Sequence, residues 1–483
     1  MPTKKTIISS LLWKFLERTG TQLTQFVVSI VLARILSPED FGLVALVMIF
    51  ITISNVFVQS GLNTALIQKK DADDLDFSSV FFASFAMSAF LYTVLFFAAP
   101  FIADFYERQE LIAVLRVLSL TLFLGAVNSI QVAYVSKYMM FKKLFLRSVG
   151  AMLPSAILGI VLALLGFGVW ALVCQQLSNV FLAIVVMWWS VKWHPSLKFS
   201  FERLKGLFGF GWKLLLSSIL DTGYSNLRGL IIGKVFAPAA LAYYNRGEHF
   251  PFLVVNNINS SIQSVMLPSL SAIQDDRPQV KRLMRRAIVT SSFLIVPLMM
   301  GLAVAAKPLV LILLGEKWLP SVPFVQIYCA IFAFYPIHTS NLSAINALGR
   351  SDVFLKLEII KKIFGIAFLL AGLFIFNSPI GIAYGVLCNT LVSAFVNAHP
   401  NKNFLNYGYF EQMKDVLPSF ILSFIMGALL YAFGTLELPV YLTFVLEVLL
   451  GIVIYFGLAK LLHFECLDYL IQTVNDIRKK HGK

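Results

Sequence analysis

The stretch LLWKFLERTGTQLTQFVVSIVLARIL, residues 11–36, is long enough to cross a bilayer. It nevertheless carries Lys14, Glu17 and Arg18 in its first half and Arg34 near its end. About 20 mostly apolar residues span the hydrocarbon core. A charge at the centre of such a helix costs about 2.5–3.5 kcal/mol on insertion scales, so three would cost roughly 8–10 kcal/mol against lipid. A large apolar residue returns only about 0.3–0.6 kcal/mol. The segment therefore reads as a membrane helix with one face turned from lipid, toward water or opposite charge.

The rest of the chain agrees. Of its 483 residues 58% are hydrophobic and 13% charged, with a mean hydropathy of +0.81. A soluble domain has roughly 45–50% apolar and about 25% charged residues. The composition predicts an all-α polytopic membrane protein. Fourteen spans are expected near 7–34, 41–63, 77–101, 112–135, 149–166, 169–190, 210–236, 241–268, 287–306, 322–346, 355–376, 380–397, 417–434 and 439–461. With both termini cytoplasmic, 28 of the 39 Lys and Arg fall at the inner side and 6 at the outer side. The other five, Lys14, Arg18, Lys213, Arg228 and Arg246, lie inside spans. That bias is the positive-inside rule, and it accounts for the net charge of +14 without a nucleic-acid partner. No basic aromatic nucleic-acid module is present. Cys174, Cys329, Cys388 and Cys466 are scattered and form no CxxC pair, so neither disulfide nor metal chemistry is expected. MPTKKTIISSLLWK does not read as a cleavable signal, because Lys14 breaks its apolar run. Two segments have interfacial character: FERLKGLF at 201–208 and the basic amphipathic tail at 464–483.

The first span and turn recur about 200 residues later. ARILSPEDFG at 33–42 aligns with GKVFAPAALA at 233–242, and WK at 13–14 with WK at 212–213. VCQQLSNVF at 173–181 aligns with LCNTLVSAF at 387–395. Three matches in one order predict two parallel six-helix repeats, 1–198 and 199–402, around a central cavity. Two extra spans at 403–463 follow as an appendage, and then the tail at 464–483.

The polar residues inside the spans follow helical steps of three and four. Lys14, Arg18, Gln22 and Gln25 do so on the first span, and Lys213, Asp221 and Arg228 on the seventh. Asn55 and Gln59 do so on the second, and Arg246, Asn256 and Gln263 on the eighth. Cations outnumber Glu17, Asp221 and Glu248, and an excess of positive charge suits an anionic cargo. The planar guanidinium suits phosphate in particular. There is no Walker A sequence and no Cys/His cluster, so no catalytic residue, metal or cofactor is assigned.

The block LARILSPEDFGLVALV, followed by FVQSGLNTALIQKKD, resembles the Wzx-type polysaccharide flippases of the multidrug/oligosaccharidyl-lipid/polysaccharide superfamily, in particular the colanic-acid and lipopolysaccharide exporter branch. LAYYNRGEHF and MLPSLSAIQDD carry the likeness into the second half. The resemblance implies a non-enzyme of the bacterial inner membrane. Such a protein moves undecaprenyl-diphosphate-linked oligosaccharide to the outer leaflet by alternating access, with membrane lipid and polysaccharide-assembly proteins as partners. In the related peptidoglycan-precursor flippases, arginines on the first, second and eighth helices engage the diphosphate. Arg18 and Arg246 lie on corresponding helices, whereas the second span here offers Asn55 and Gln59. Arg18, Arg228, Arg246, Lys14 and Lys213 are thus the expected diphosphate ligands. Gln22, Gln25, Asn55, Gln59, Asn256 and Gln263 are the expected glycan contacts, and Glu17, Asp221 and Glu248 the candidates for H+ or Na+ coupling. The alternative is a cation-coupled small-molecule exporter of the sister multidrug branch, for which an acidic cavity is expected.

Overall fold

The computed structural model describes residues 4–59, 61–436, 438–468 and 472, with side chains from 13 onward except at 15 and 210. Among these residues every regular element is helical. The first nine helices are α1 Lys4–Ile35, α2 Pro38–Gln59, α3 Leu62–Gln68, α4 Asp74–Tyr106, α5 Glu110–Leu118, α6 Thr121–Lys137, α7 Phe141–Leu164, α8 Val169–Ser190 and α9 Phe201–Val235. Then come α10 Pro238–Ser271, α11 Arg277–Val304, α12 Ala306–Leu313, a 3-10 turn Glu316–Ser321, α13 Val322–Ala333 and α14 Tyr335–Ala347. The last four are α15 Ser351–Phe376, α16 Pro379–Leu405, α17 Tyr409–Gly434 and α18 Val440–Leu461.

Among the described residues, eleven helical segments are long and apolar enough to cross a membrane, and each matches one of the fourteen expected spans. The other three expected spans lie in α1, α9 and α10. These have 32, 35 and 34 residues, about 50 Å each at 1.5 Å per residue. Length does not set them apart; their polar stripes do.

Several boundaries differ from the expectation. The span at 112–135 is broken between α5 and α6, where the Thr121 hydroxyl donates to the carbonyl of Leu118 at 2.5 Å. The span at 322–346 is broken at Phe334 by Pro336, which removes an N–H from the helical ladder. FERLKGLF at 201–208 is not a separate interfacial helix but the first two turns of α9. Ser200 caps it by accepting from the N–H of Arg203 at 3.4 Å. The tail at 464–483 lies, beyond 468 and apart from 472, outside the described residues.

The repeated block has the same local structure twice. The helix runs to residue 35 or 235, bends, and a new helix opens on Pro38 or Pro238. Proline suits that first helical position because its missing N–H is unneeded there. Contacts divide the chain into compact units at 1–242 and 243–483. They differ in extent from the expected repeats because α9 packs on α2, α3 and α4 of the first unit. Glycine permits this approach. A Cβ on Gly61 would lie 2.2 Å from the carbonyl oxygen of Gly211 on α9, and one on Gly233 of α9 2.0 Å from Leu46 Cδ2 on α2; at the start of α10, a Cβ on Gly42 would lie 2.0 Å from the carbonyl oxygen of Pro238. Small residues let membrane helices touch backbone to backbone.

In the second unit α17 lies along α11, and α18 along α17 and α12. A buried amide network joins α14, α16 and α17. Asn341 Nδ2 donates to Gln412 Oε1 at 2.7 Å, and Gln412 Nε2 donates back to Asn341 Oδ1 at 3.0 Å. Asn401 Nδ2 also donates to Asn341 Oδ1, at 2.7 Å. The last two helices thus pack against other helices of the second unit.

Candidate functional site

In the first unit, α1 is held to α7 along one side. The Trp13 ring packs 5.4 Å from that of Phe145, Lys14 Nζ sits 5.4 Å from the Phe141 ring centre, and Ser148 Oγ donates to Glu17 Oε1 at 3.2 Å. Glu17 is thereby a bridge between helices. Lys14, Arg18 and Gln25 are exposed and Gln22 is half-buried. Leu16, Leu23 and Val27 are exposed on the opposite side of α1, so the helix offers one polar and one apolar open face.

Asn55 and Gln59 are half-buried and bonded to each other, with Gln59 Nε2 donating to Asn55 Oδ1 at 3.2 Å. A Cβ on Gly125 of α6 would touch both, at 3.3 and 3.5 Å. That side continues along α6 to Asn128 and Gln131. Gln131 is 1% exposed, and its amide has no hydrogen-bond partner among the described residues.

On α9, Lys213 and Asp221 are exposed and Arg228 is half-buried. Lys213 Nζ lies 6.0 Å from the Trp212 ring centre. Lys213 and Arg228 are 15 positions apart in the sequence, about 22 Å along a helix axis. That is far more than one diphosphate spans. The cations of α9 therefore form two tiers, one toward each end of the helix, and no single headgroup meets both at once.

In the second unit, the Arg246 guanidinium lies 5.4 Å from the ring centre of Trp318, and the Tyr243 ring meets Trp318 edge-on at 5.9 Å. Trp318 is fully buried, so this cation–π contact fixes the arginine on a rigid wall. One residue on, a Cβ at Gly247 would lie 2.1 Å from Phe324 Cβ, which locks α10 onto α13. Glu248 and Asn256 are half-buried and Gln263 is exposed.

Two charged groups have a setting the sequence reading did not give them. Arg147, counted among the inner-side charges, is half-buried on α7 beside Ser148 and within electrostatic range of Glu17. Its Nε has no hydrogen-bond partner among the described residues. Glu447 is 4% exposed on α18 and lines a cavity of about 670 Å³ with Lys307, Gln326 and Thr443. A lone acid in VYLTFVLEVLLGIVIYFG was the signal available for it.

The family described as polysaccharide biosynthesis protein matches residues 31–323. The chain is 24% identical over 392 residues to the succinoglycan biosynthesis transport protein ExoT of Rhizobium meliloti (strain 1021), covering 81% of this chain and 77% of that protein. It is 23% identical over 434 residues to the lipopolysaccharide biosynthesis protein WzxC of Escherichia coli (strain K12), covering 88% and 83%. Among solved structures it is similar to the lipid II flippase MurJ in an inward closed conformation. The TM-score is 0.75 at 16% identity, over 95% of this chain and 100% of that one. It also resembles an inward-facing multidrug resistance MATE family transporter of the MOP superfamily, with a TM-score of 0.59 at 16% identity, over 83% and 95%. At such identities the structural likeness establishes the fold, that of a MurJ- and MATE-like membrane transporter. The resemblance carried by LARILSPEDFGLVALV is borne out: the chain belongs to the polysaccharide biosynthesis protein family.

Proposed function

We propose that this protein is a flippase. It carries an undecaprenyl-diphosphate-linked oligosaccharide from the cytoplasmic to the outer leaflet of the bacterial inner membrane, by alternating access, for export of a cell-surface polysaccharide. One observation carries the reading. Beside the eleven strongly apolar helical segments among the described residues, the long helices α1, α9 and α10, which fall outside that class, are those that bear Lys14, Arg18, Lys213, Arg228 and Arg246. Membrane helices retain such charges where they face water or a charged ligand. The names of the family and of its relatives supply the polysaccharide.

The diphosphate first meets the tier of Lys14, Arg18 and Lys213, and then that of Arg228, with Arg246 as the ligand from α10. Gln22, Gln25, Asn256 and Gln263 offer hydrogen bonds to sugar hydroxyls, and Asn55 and Gln59 do so as a bonded pair. The polyprenyl chain stays in lipid throughout, and no bond is made or broken. Glu17, Asp221 and Glu248 are the candidates for ion coupling, and Glu17 also accepts a hydrogen bond from Ser148. The cationic balance of the stripes disfavours the alternative, a cation-coupled small-molecule exporter, for which an acidic cavity is expected.

The test uses the full chain in liposomes with a fluorescent undecaprenyl-diphosphate glycan whose outer-leaflet fraction is quenched by an impermeant reductant. Removing a charge-assisted hydrogen bond costs about 1.5–3 kcal/mol. Arg18→Ala and Arg246→Ala are therefore each expected to slow translocation about tenfold or more, with membrane insertion and thermal stability kept. Translocation at the parent rate by both variants would remove the proposal. Efflux of a cationic dye without glycan movement would establish the exporter instead.

A further inference from the structure

The second unit holds another cationic site, separate from the stripes on α1, α9 and α10. Arg282, Arg285 and Arg286 fall at steps of three and four on the first turns of α11, so they share one face. They line a cavity of about 820 Å³ together with Asp415 and Pro418 of α17 and with His463, Phe464 and Cys466 just beyond α18. Arg285 is pinned. Its guanidinium lies 2.6 Å from Asp415 Oδ1, and the other oxygen of that carboxylate accepts from the Tyr407 hydroxyl at 2.7 Å. Arg282 is exposed and makes no ion pair or hydrogen bond among the described residues. Three guanidinium groups line the cavity together with two carboxylates, Asp415 and Glu465.

One turn deeper the walls change character. Val289, Pro418 and Phe464 line them, and the Phe464 ring stacks on Phe293 at 5.6 Å. Beside the lining residues Pro418 and His463, Leu417, Leu461 and Leu462 are 52%, 76% and 59% exposed. A ring of arginines above an apolar wall, opening beside exposed leucines, has the polarity profile of a lipid molecule near its headgroup. The positive-inside bias assigns this end of α11 to the cytoplasmic leaflet, where basic pockets between helices hold anionic headgroups.

We propose that this cavity holds the phosphate headgroup of an anionic phospholipid of the inner leaflet, bound by Arg282 and Arg286 with Arg285 fixed at the rim. The bound lipid ties together α11, α17 and the turn after α18. The site is distinct from the one through which the glycan lipid is proposed to move, so its test reads binding rather than transport.

The full-length protein in detergent is titrated with phosphatidylglycerol, phosphatidylethanolamine, undecaprenyl diphosphate and inorganic phosphate. Retained lipid is read by native mass spectrometry and by thermal shift. Phosphatidylglycerol is expected to bind best and to raise the melting temperature. Arg282→Gln/Arg286→Gln is expected to weaken it by about thirtyfold, from the usual contribution of two interfacial cations. Arg282→Lys/Arg286→Lys, the charge-keeping pair, is expected to stay within about threefold of the parent and well above the Gln pair. It answers the question if the Gln pair does not fold, because equal binding of phosphatidylglycerol and phosphatidylethanolamine by the Lys pair would overturn the proposal. Lys192→Gln/Lys198→Gln, at exposed cations of the first unit, is expected to change nothing. Parent-like phosphatidylglycerol binding by the Gln pair would overturn the proposal, as would an equal loss in the Lys192/Lys198 variant. A thermal shift from inorganic phosphate alone at the lipid's concentration would make this an ion site. Preferential binding of undecaprenyl diphosphate would make it part of the substrate path. Either result overturns the phospholipid assignment.

Discussion

The glycine contacts in the first unit give the sharpest test of the packing. Replacing Gly42 by Ala puts a Cβ 2.0 Å from the Pro238 carbonyl oxygen, 2.3 Å from its carbon and 2.9 Å from its Cα. Carbon atoms in contact prefer about 3.5–4.0 Å, so the backbones must part by about 1.5 Å. Neither side has a flexible group to move. Over-packing of this kind costs about 1–3 kcal/mol, here at the upper end. Better helix propensity offsets about 0.5–1 kcal/mol, leaving Gly42→Ala about 1–2 kcal/mol less stable than the parent. Gly20, on α1, has nothing within 4 Å, so Gly20→Ala is expected to gain about 0.5–1 kcal/mol. Gly233→Ala falls between them, because the atom it meets at 2.0 Å is Leu46 Cδ2, which can rotate away. Unfolding of the three variants in mixed micelles should give the order Gly20, Gly233, Gly42 from most to least stable. A Gly42→Ala protein as stable as Gly20→Ala would refute the backbone contact between α2 and the start of α10.

Two further outcomes follow from polar groups. Gln412→Ala strips Asn341 of two hydrogen bonds and the carbonyl of Tyr407 of one, at 3.1 Å. At about 1–3 kcal/mol for an unsatisfied buried group, it should lower the unfolding midpoint clearly in the same micelle assay, while Asn257→Ala, at an exposed amide, should not. The N–H of Asp76 and the guanidinium of Arg203 hold the Asp73 carboxyl below the usual carboxylate range. The folded state therefore binds that proton less readily than the unfolded state. Its stabilisation is complete above about pH 4, the ordinary carboxylate value, and is lost as the pH falls through the lower folded value. Asp73→Asn keeps a good helix cap and should flatten this acid limb in a pH series of melts, by lowering stability slightly at neutral pH toward the parent's value in acid.

The membrane class, the segments and the polar faces were legible because hydropathy and the helical period are local properties. Eleven spans could be read from apolar runs alone. The charges of residues 11–36 were visible in the sequence, and so was the shared bend at 33–42 and 233–242, as a repeated proline. What could not be read depends on distant partners. That Gly211 touches Gly61, or Gly42 touches Pro238, is invisible in a glycine, which has no side chain to signal a neighbour. Arg147 looked like one more inner-side cation, since Glu17, the charge within its electrostatic range, lies on α1, far away in the sequence. Asn341, Asn401 and Gln412 sit in ordinary polar surroundings in the sequence and become a network only when three helices meet.

That network also bears on biogenesis. Asn341 and Asn401 are made before Gln412, so when α14 and α16 first leave the insertion machinery their amides lack the partner that completes the set. Segments synthesised earlier usually fold first, but a half-satisfied amide inside a membrane is held loosely. The second unit can therefore finish packing only after the ribosome has produced α17. A chain truncated ahead of that helix would display, in place of a closed interior, the unmade bonds by which quality-control proteases recognise an unfinished product.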